Sequence, residues 1–239
     1  MEAALTIDSR FRGPLRSGNG GVSAGLAAGF LEGPATVRLR RPPPLDRPLA
    51  VQREPDEVRV MDGDELVLQA RPATETAEVT VDDELLRRTF DLGTAPVPQD
   101  YPAPECFVCG PRGDGLGICP RALDGTELWA TVWVPDRSVS SDRVHVDPQV
   151  VWGALDCPAG IALVRYGRAP LTRFPALTQL TVTLDHPVRV DQPVAVWGWA
   201  SAEDEQHAEG CTAIIDADGV IMATGHARHT WLSADFARR

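Results

Sequence analysis

The sequence contains no lysine, so all 23 of its basic residues are arginines. This bias is typical of GC-rich coding and predicts no function by itself. Acidic residues outnumber the arginines and give a formal net charge of -11. Such a charge argues against nucleic acid or an anionic membrane surface as the main partner.

Long apolar runs and export signals are also lacking. The longest apolar run is interrupted by Asp156 and Pro158, so no segment reaches the length that a membrane span needs. The N-terminus carries Asp8 and Arg10 and does not have the pattern of a signal peptide. The five cysteines are an odd number, and without a sign of export we expect reduced thiols in a cytoplasmic protein.

The apolar run that follows Asp147-Pro148 is the most informative segment. Proline in the first turn is typical of a helix start, and the run is apolar on almost every face, which predicts a helix buried on all sides. Asp156 is the single acid inside it. Because an unpaired buried carboxylate is costly, Asp156 is predicted to have a specific partner or a chemical role.

An internal repeat divides the chain into two similar parts. Segment 36–51 aligns without gaps on segment 181–196, with Thr, Val, Leu, Pro, Asp, Pro, Ala and Val at matching positions. In each part a mostly apolar helix precedes this strand: it covers 21–31 and is uncharged in the first part, and it follows Pro148 in the second. The repeat places Ala28 opposite Asp156.

Segments rich in strand-forming residues surround both helices. One long helix wrapped by an antiparallel sheet, occurring twice, is an α+β architecture. The predicted strands near the helices cover 4–11, 116–120 and 127–134. An acidic, proline-rich linker with a short helix around 84–88 separates the parts. The predicted boundaries are 1–73 for the first unit, 74–104 for the linker and 105–239 for the second unit.

Two motifs resemble those of known thioesterases. The segment Cys106-Phe107-Val108-Cys109-Gly110, followed by Gly115-Leu116, is similar to the Cys-Phe-x-Cys-Gly…Gly-Leu segment of thioesterases related to the phenylacetate-pathway enzyme. The helix with Asp156 is similar to that family's helix, in which a carboxylate follows a His-Gly-Gly start. The resemblance implies a double hot-dog fold and hydrolysis of acyl-CoA or related acyl thioesters.

The family pattern is split between the two parts of this chain. The first part has Asn19-Gly20-Gly21, a relative of the His-Gly-Gly start, but Ala28 where the acid is expected. The second part has Asp156, but its helix starts at Asp147-Pro148-Gln149. Hot-dog dimers take the helix start from one subunit and the acid from the other, so the resemblance implies one complete composite site and one inactive site.

Thioester hydrolysis assigns roles to these residues. Backbone N–H groups of Gly20 and Gly21 at a helix N-terminus would polarise the thioester carbonyl, and Asn19 would orient water or hold the oxygen. Asp156 would act as general base or nucleophile. The structural alternative is that Asp156 caps a backbone group or pairs with an arginine, and that the glycines form a tight helix-packing turn.

Four further residues are candidates for substrate binding. Trp152 shares a helix face with Asp156, so it lines an acyl channel or belongs to the core. His145 lies near a helix start, where it contacts substrate or simply ends a strand. Arg16 and Arg41 lie in arginine-rich segments that would bind the phosphates of coenzyme A, or they are ordinary solvated side chains.

Metal binding is not predicted, and neither is a cofactor. Cys106 and Cys109 have a spacing found in zinc sites, with Cys119 and His145 as further ligands, but a second ligand pair at metal spacing is missing. Cys157 has no partner to orient a base, so we interpret it as a core residue.

Two other functions stay open on the same fold. One is a non-catalytic acyl-CoA or lipid-binding protein. The other is an enoyl-CoA hydratase, which the resemblance disfavours because Asp142 and His145 are too closely spaced for that family's pair. A duplicated chain is its own pseudo-dimer, and further homo-oligomers stay open.

Overall fold

The fold is seen in a computed structural model that describes residues 3–74, 77–94, 96–99, 101–167 and 172–233. Its helices are α1 (Gly20–Ala28), α2 (Asp83–Leu92) and α3 (Pro148–Leu163). Its strands are β1 (Ala3–Thr6), β2 (Ala35–Leu39), β3 (Pro48–Glu54), β4 (Glu57–Asp62), β5 (Glu65–Pro72), β6 (Arg121–Ala122), β7 (Trp129–Trp133), β8 (Arg173–Leu184), β9 (Val194–Glu203), β10 (His207–Ile215) and β11 (Ile221–Ser233).

The strands form one eleven-stranded sheet in the order β1-β3-β4-β5-β2-β8-β11-β10-β9-β7-β6, and every pairing is antiparallel. β2 and β8 pair at its centre, where Thr36 lies opposite Thr181 and their hydroxyls are 2.8 Å apart. Outward from β2 the strands are β5, β4, β3 and β1, and outward from β8 they are β11, β10, β9 and β7. On both sides, the strands that follow the helix of that part come in reverse chain order. The next strand on each side is one that precedes the helix. The α+β class expected from the sequence is confirmed.

α1 and α3 cross at very close range because glycines line their contact. A Cβ added to Gly21 would lie 2.9 Å from the Cα of Gly153, and one added to Gly25 would lie 2.7 Å from the Cα of Gln149. Nearly every residue of α3 is buried, as the apolar run predicted. α3 continues through Pro158, and the Thr212 hydroxyl donates to the Leu155 carbonyl at 2.8 Å in the preceding turn.

α2 lies in the predicted linker and packs on the sheet face opposite the main core. Its Leu86 joins a small cluster with Trp197 and Ile215, whose strand neighbours Val196 and Ile214 point into the main core. The Trp197 indole N–H donates to the Thr89 hydroxyl at 2.8 Å. None of the helices in the described parts of the chain has the length and apolar character that crossing a membrane requires.

Three sequence-based boundaries need correction. The strand expected over 4–11 ends at Thr6, because Asp8 caps a short 3-10 helix by accepting the Arg10 N–H at 2.7 Å. The first helix ends at Ala28, short of the predicted residue 31. Segment 116–120 joins no strand: Gly117 has a φ of 64°, and the amides of the segment bond elsewhere, as described below. The expected strand over 127–134 and the short helix around 84–88 are observed as β7 and α2.

Candidate active site

A cavity of about 330 Å³ opens between the start of α1, the middle of α3, and strands β8 and β11. Its walls are mostly apolar and aromatic. At one end they give way to a cluster of polar groups, and two arginines line the cavity as well. The wall residues include Leu39, Tyr101, Ile161, Val164, Tyr166, Phe174, Leu177 and Leu232; the polar end has Asn19, Gly20, Cys106, Cys109, Asp156 and Cys157; the arginines are Arg40 and Arg41.

Asp156 meets the start of α1 at this polar end. Its Oδ2 accepts the Gly21 N–H at 2.9 Å, and only 7% of the residue is exposed. Burial raises the pKa of Asp156 to about 7, although the hydrogen bond from Gly21 acts in the opposite direction. The contact has the geometry expected of a composite site. It is equally the backbone cap that the structural alternative described.

Asn19 and the two glycines have different partners. The Asn19 Oδ1 caps α1 by accepting the Val22 N–H at 2.9 Å, so its Nδ2 is directed at the sulfurs of Cys106 and Cys157, at 3.7 and 3.8 Å. The Gly21 N–H is already bonded to Asp156. Gly20 lines the cavity, and its N–H has no acceptor among the described residues. Of the two glycines, Gly20 is therefore the one whose N–H is left without a described partner.

Three thiols converge beside Asp156. The sulfurs of Cys106, Cys109 and Cys157 all lie within 4.8 Å of one another, and Cys106 and Cys157 are 3.7 Å apart. Hydrogen bonds from Cys109 and Cys157 hold the pKa of Cys106 well below its usual range. The same contacts and burial raise the pKa of Cys157. Cys157, interpreted as core from the sequence, lines the cavity, and Cys119 and His145 are not in the cluster.

The four predicted substrate-binding residues separate in space. Trp152 is buried against Gly25 in the α1–α3 contact and does not line the cavity. Arg16 is exposed and lies outside the cavity lining. Arg41 lines the cavity and is 2.8 Å from Glu65. Only Arg41 of the four is therefore at this cavity.

His145 lies beside the start of α3, at a second and more polar cavity. Its Nδ1 is 2.9 Å from the Oδ2 of Asp142, and both side chains are exposed. Hydrogen bonds from the backbone amides of His145 and Val144 hold the pKa of Asp142 well below its usual range. The Asp142 carboxylate therefore stabilises its own loop through hydrogen bonds. A carboxylate whose pKa is held this low is not suited to act as a general base.

Several cavity residues were missed by the sequence interpretation. The rings of Tyr101 and Tyr166 meet edge to face, with centroids 5.1 Å apart. His229 is 2% exposed, and its Nδ1 has no partner among the described residues. Burial and the nearby His226 lower the pKa of His229 to about 4. These residues come from three distant parts of the chain, so no local pattern could have grouped them.

No protein-family model and no curated protein matches the sequence. Solved structures do match. One is a protein from Novosphingobium aromaticivorans that is provisionally named a thioesterase. It is 14% identical to this chain, with a TM-score of 0.56, and the match covers 95% of this chain and 94% of that protein. A hot-dog protein of unknown function from Alicyclobacillus acidocaldarius is 11% identical with a TM-score of 0.54, covering 96% of this chain and 92% of its own.

The tesB protein of Mycobacterium avium subsp. paratuberculosis is also similar, at 13% identity and a TM-score of 0.52 over 88% of this chain and 84% of its own. At such identities the likeness concerns the fold. The chain has the hot-dog fold that the sequence motifs implied.

Proposed function

We propose that the protein hydrolyses acyl-CoA or related acyl thioesters at one composite site, where Asp156 of α3 meets the start of α1. The observation that carries the proposal is the 2.9 Å contact between Asp156 Oδ2 and Gly21 N at the polar end of an apolar cavity. A carboxylate, a helix N-terminus and an apolar channel together are what thioester hydrolysis requires.

Each group has a defined part in the reaction. The Gly20 N–H and the α1 dipole stabilise the negative charge that develops on the thioester oxygen. As a general base, Asp156 takes a proton from the water that attacks the carbonyl carbon; the carbon–sulfur bond breaks, and that proton goes to the departing thiolate. As a nucleophile, the Asp156 carboxylate attacks the carbon itself and the thiolate leaves, taking a proton from solvent. Water then hydrolyses the acyl–Asp156 anhydride and restores the carboxylate. The Gly21 N–H holds Asp156 in place between the two helices.

The rest of the cavity suits the two ends of such a substrate. Its apolar walls would take the acyl group. Arg40 and Arg41 would take phosphates of the coenzyme A portion, as guanidinium groups pair well with phosphate oxygens. The provisional thioesterase name of the N. aromaticivorans protein agrees with this assignment.

We infer that the two parts of the chain are tandem hot-dog units, 1–73 and 105–239, joined through 74–104. The central strand pair supports this, because Thr36 and Thr181 occupy matching repeat positions and lie opposite each other. The helix contact supports it too, because Gly25 meets Gln149 just as its counterpart Gly153 meets Gly21. Two-fold pairing of equivalent positions is the arrangement expected of a pseudo-dimer.

The test is release of free thiol from a panel of acyl-CoAs by the full-length protein and by Asp156→Asn. We expect release by the wild type and a loss of about 10²–10⁴-fold in the variant, the range for removing a general base. Asp142→Asn, which changes an exposed carboxylate outside the cavity, is the matched control and should retain activity.

Unchanged release by Asp156→Asn would remove Asp156 from the mechanism. In that case the bond to Gly21 is only a helix cap, and the second candidate applies, a non-catalytic acyl-thioester binding protein. That candidate predicts thermal stabilisation of the wild type by acyl-CoA without any thiol release.

A further inference from the structure

The three clustered thiols at the end of the cavity take no part in the proposed hydrolysis. They come from two segments: Cys106 and Cys109 lie in a tight loop, and Cys157 lies on α3. All three sulfurs are within 4.8 Å of one another. Two sulfurs bound to one tetrahedral zinc at about 2.3 Å would lie roughly 3.8 Å apart. The observed 3.7 Å between Cys106 and Cys157 fits that separation.

The loop that carries Cys106 and Cys109 is already held in a ligand-binding shape. Gly110 donates its N–H to the Cys106 carbonyl at 2.9 Å, and a Cβ on Gly110 would lie 2.6 Å from the same oxygen. The amides of Leu116 and Ile118 bond to the Phe107 and Val108 carbonyls at 2.7 and 2.8 Å. The backbone of the loop that carries two of the ligands is therefore already fixed by its own hydrogen bonds.

A side-chain amide donor lies beside two of the sulfurs. The Asn19 Nδ2 lies 3.7 and 3.8 Å from the sulfurs of Cys106 and Cys157. Donors of this kind orient and stabilise metal-bound thiolates.

We propose that Cys106, Cys109 and Cys157 bind one thiophilic divalent cation of the zinc type, with its fourth coordination position facing the cavity. Thiolate ligands select zinc over magnesium or calcium. Each ligand that is still a thiol loses its S–H proton to solvent when it binds, and no oxidation takes place. The spacing of Cys106 and Cys109 alone lacked a further ligand, and Cys157 supplies it from α3.

The site joins three elements. It fixes the loop to α3, and through Asn19 it also reaches the cap of α1. Binding of the cation should therefore stabilise the whole folded chain, because the ligand set does not exist in the unfolded state. This inference does not depend on the proposed hydrolysis.

The experiment is metal analysis of the full-length protein after loading with zinc and dialysis into metal-free buffer. We expect one zinc per chain and a higher melting temperature with zinc than after chelation. Cys157→Ser and Cys109→Ser should each lose the bound zinc. Cys211→Ser should keep it, because Cys211 lies on β10 outside the cluster.

A second measurement covers the case in which the cysteine variants fail to fold. Wild-type protein loaded with cobalt(II) should show thiolate-to-cobalt charge-transfer absorption and the intense visible bands of tetrahedral cobalt. Absence of both zinc and these bands in the wild type would overturn the proposal, and so would zinc retention by folded Cys157→Ser. If wild-type protein binds no metal and contains a Cys106–Cys157 disulfide, the metal site is overturned and the two cysteines form a redox pair.

Discussion

Gly21 is the residue at which helix packing and the candidate site meet. A Cβ there would lie 2.6 Å from the Trp152 carbonyl oxygen and 2.7 Å from the Asp156 Cβ. Both neighbours belong to α3, whose backbone is buried and has little freedom to move. The same residue donates the N–H that positions Asp156. A side chain at this position should therefore disturb stability and activity together.

We predict that Gly21→Ala lowers the free energy of unfolding by about 1–3 kcal/mol, the usual cost of overpacking, and abolishes thiol release. Urea denaturation and the acyl-CoA assay measure the two effects. Gly113→Ala is the matched control, because a Cβ on Gly113 would meet nothing within 4 Å. A Gly21→Ala protein as stable as the wild type would contradict the close helix contact.

His229 makes folding depend on pH. Burial lowers its pKa from 6.5 to about 4, so the folded state holds it neutral while the unfolded chain protonates it more readily. This contribution to stability is complete above pH 6.5 and is lost as the pH falls toward 4. The full loss is about 3 kcal/mol, since one pKa unit corresponds to about 1.4 kcal/mol.

We therefore expect urea titrations at a series of pH values to show a steeper acid loss of stability in the wild type than in His229→Leu. His186→Gln, at an exposed position, should keep the wild-type slope. Packing changes shift the absolute stability of a variant, so the slopes are compared. Equal slopes for the wild type and His229→Leu would show that His229 is not held neutral.

Single residues were predictable from the sequence only where they broke a local pattern. Asp156 was found because it is an acid inside an apolar helix. Cys157 is the next residue, but a cysteine does not stand out in an apolar helix. Its contact with Cys106 depends on how the loop of Cys106 folds onto α3. The partner of the Gly21 N–H likewise depends on tertiary packing, as does the burial of His229.

At the scale of elements, α2 shows that the linker also contacts the sheet. Its Thr89 hydroxyl accepts the Trp197 N–H and donates to the Leu85 carbonyl, both at 2.8 Å. Leu86 and Trp197 pack on the sheet face opposite the cavity. The helix is therefore expected to support the sheet without taking part in the chemistry.

We predict that Thr89→Val lowers the free energy of unfolding by about 1–3 kcal/mol, because it leaves a buried indole N–H without a partner. Thiol release should stay at the wild-type level. In a double-mutant cycle with Trp197→Phe, the double variant should cost less than the sum of the single variants. Additive costs would show that this hydrogen bond does not hold α2 to the sheet.

The starts of the helices and strand β7 were predicted well, and segment 116–120 was not. Proline at the start of α3 marks that helix start locally. Segment 116–120 has the composition of a strand, but its amides bond to the loop of Cys106 and Cys109 instead of the sheet. Composition alone does not show whether such a segment pairs with a sheet or with a loop.

For the whole molecule, the sequence repeat and the family resemblance together indicated which helix start would meet the acid. The inferred pseudo-dimer has two positions of this kind, and only one pairs a carboxylate with glycine N–H groups. At the other, α3 starts at Asp147-Pro148, where the proline lacks an N–H and the acid would repel a developing oxyanion.

We therefore predict that adding Ala28→Asp to Asp156→Asn does not restore thiol release. Ala28 is 9% exposed, so a carboxylate there is also costly. The assay is the acyl-CoA panel, with folding checked by circular dichroism. Recovery of activity in the double variant would show that the start of α3 can polarise a thioester, against the assignment of one site per chain.

The most direct test of the composite site is a crystal structure of Asp156→Asn with a non-hydrolysable acyl-CoA analogue. We expect the analogue's carbonyl oxygen to accept the Gly20 N–H at the start of α1, with the acyl chain between Leu177 and Tyr101. An analogue bound beside His145 at the start of α3, or outside the cavity, would contradict it.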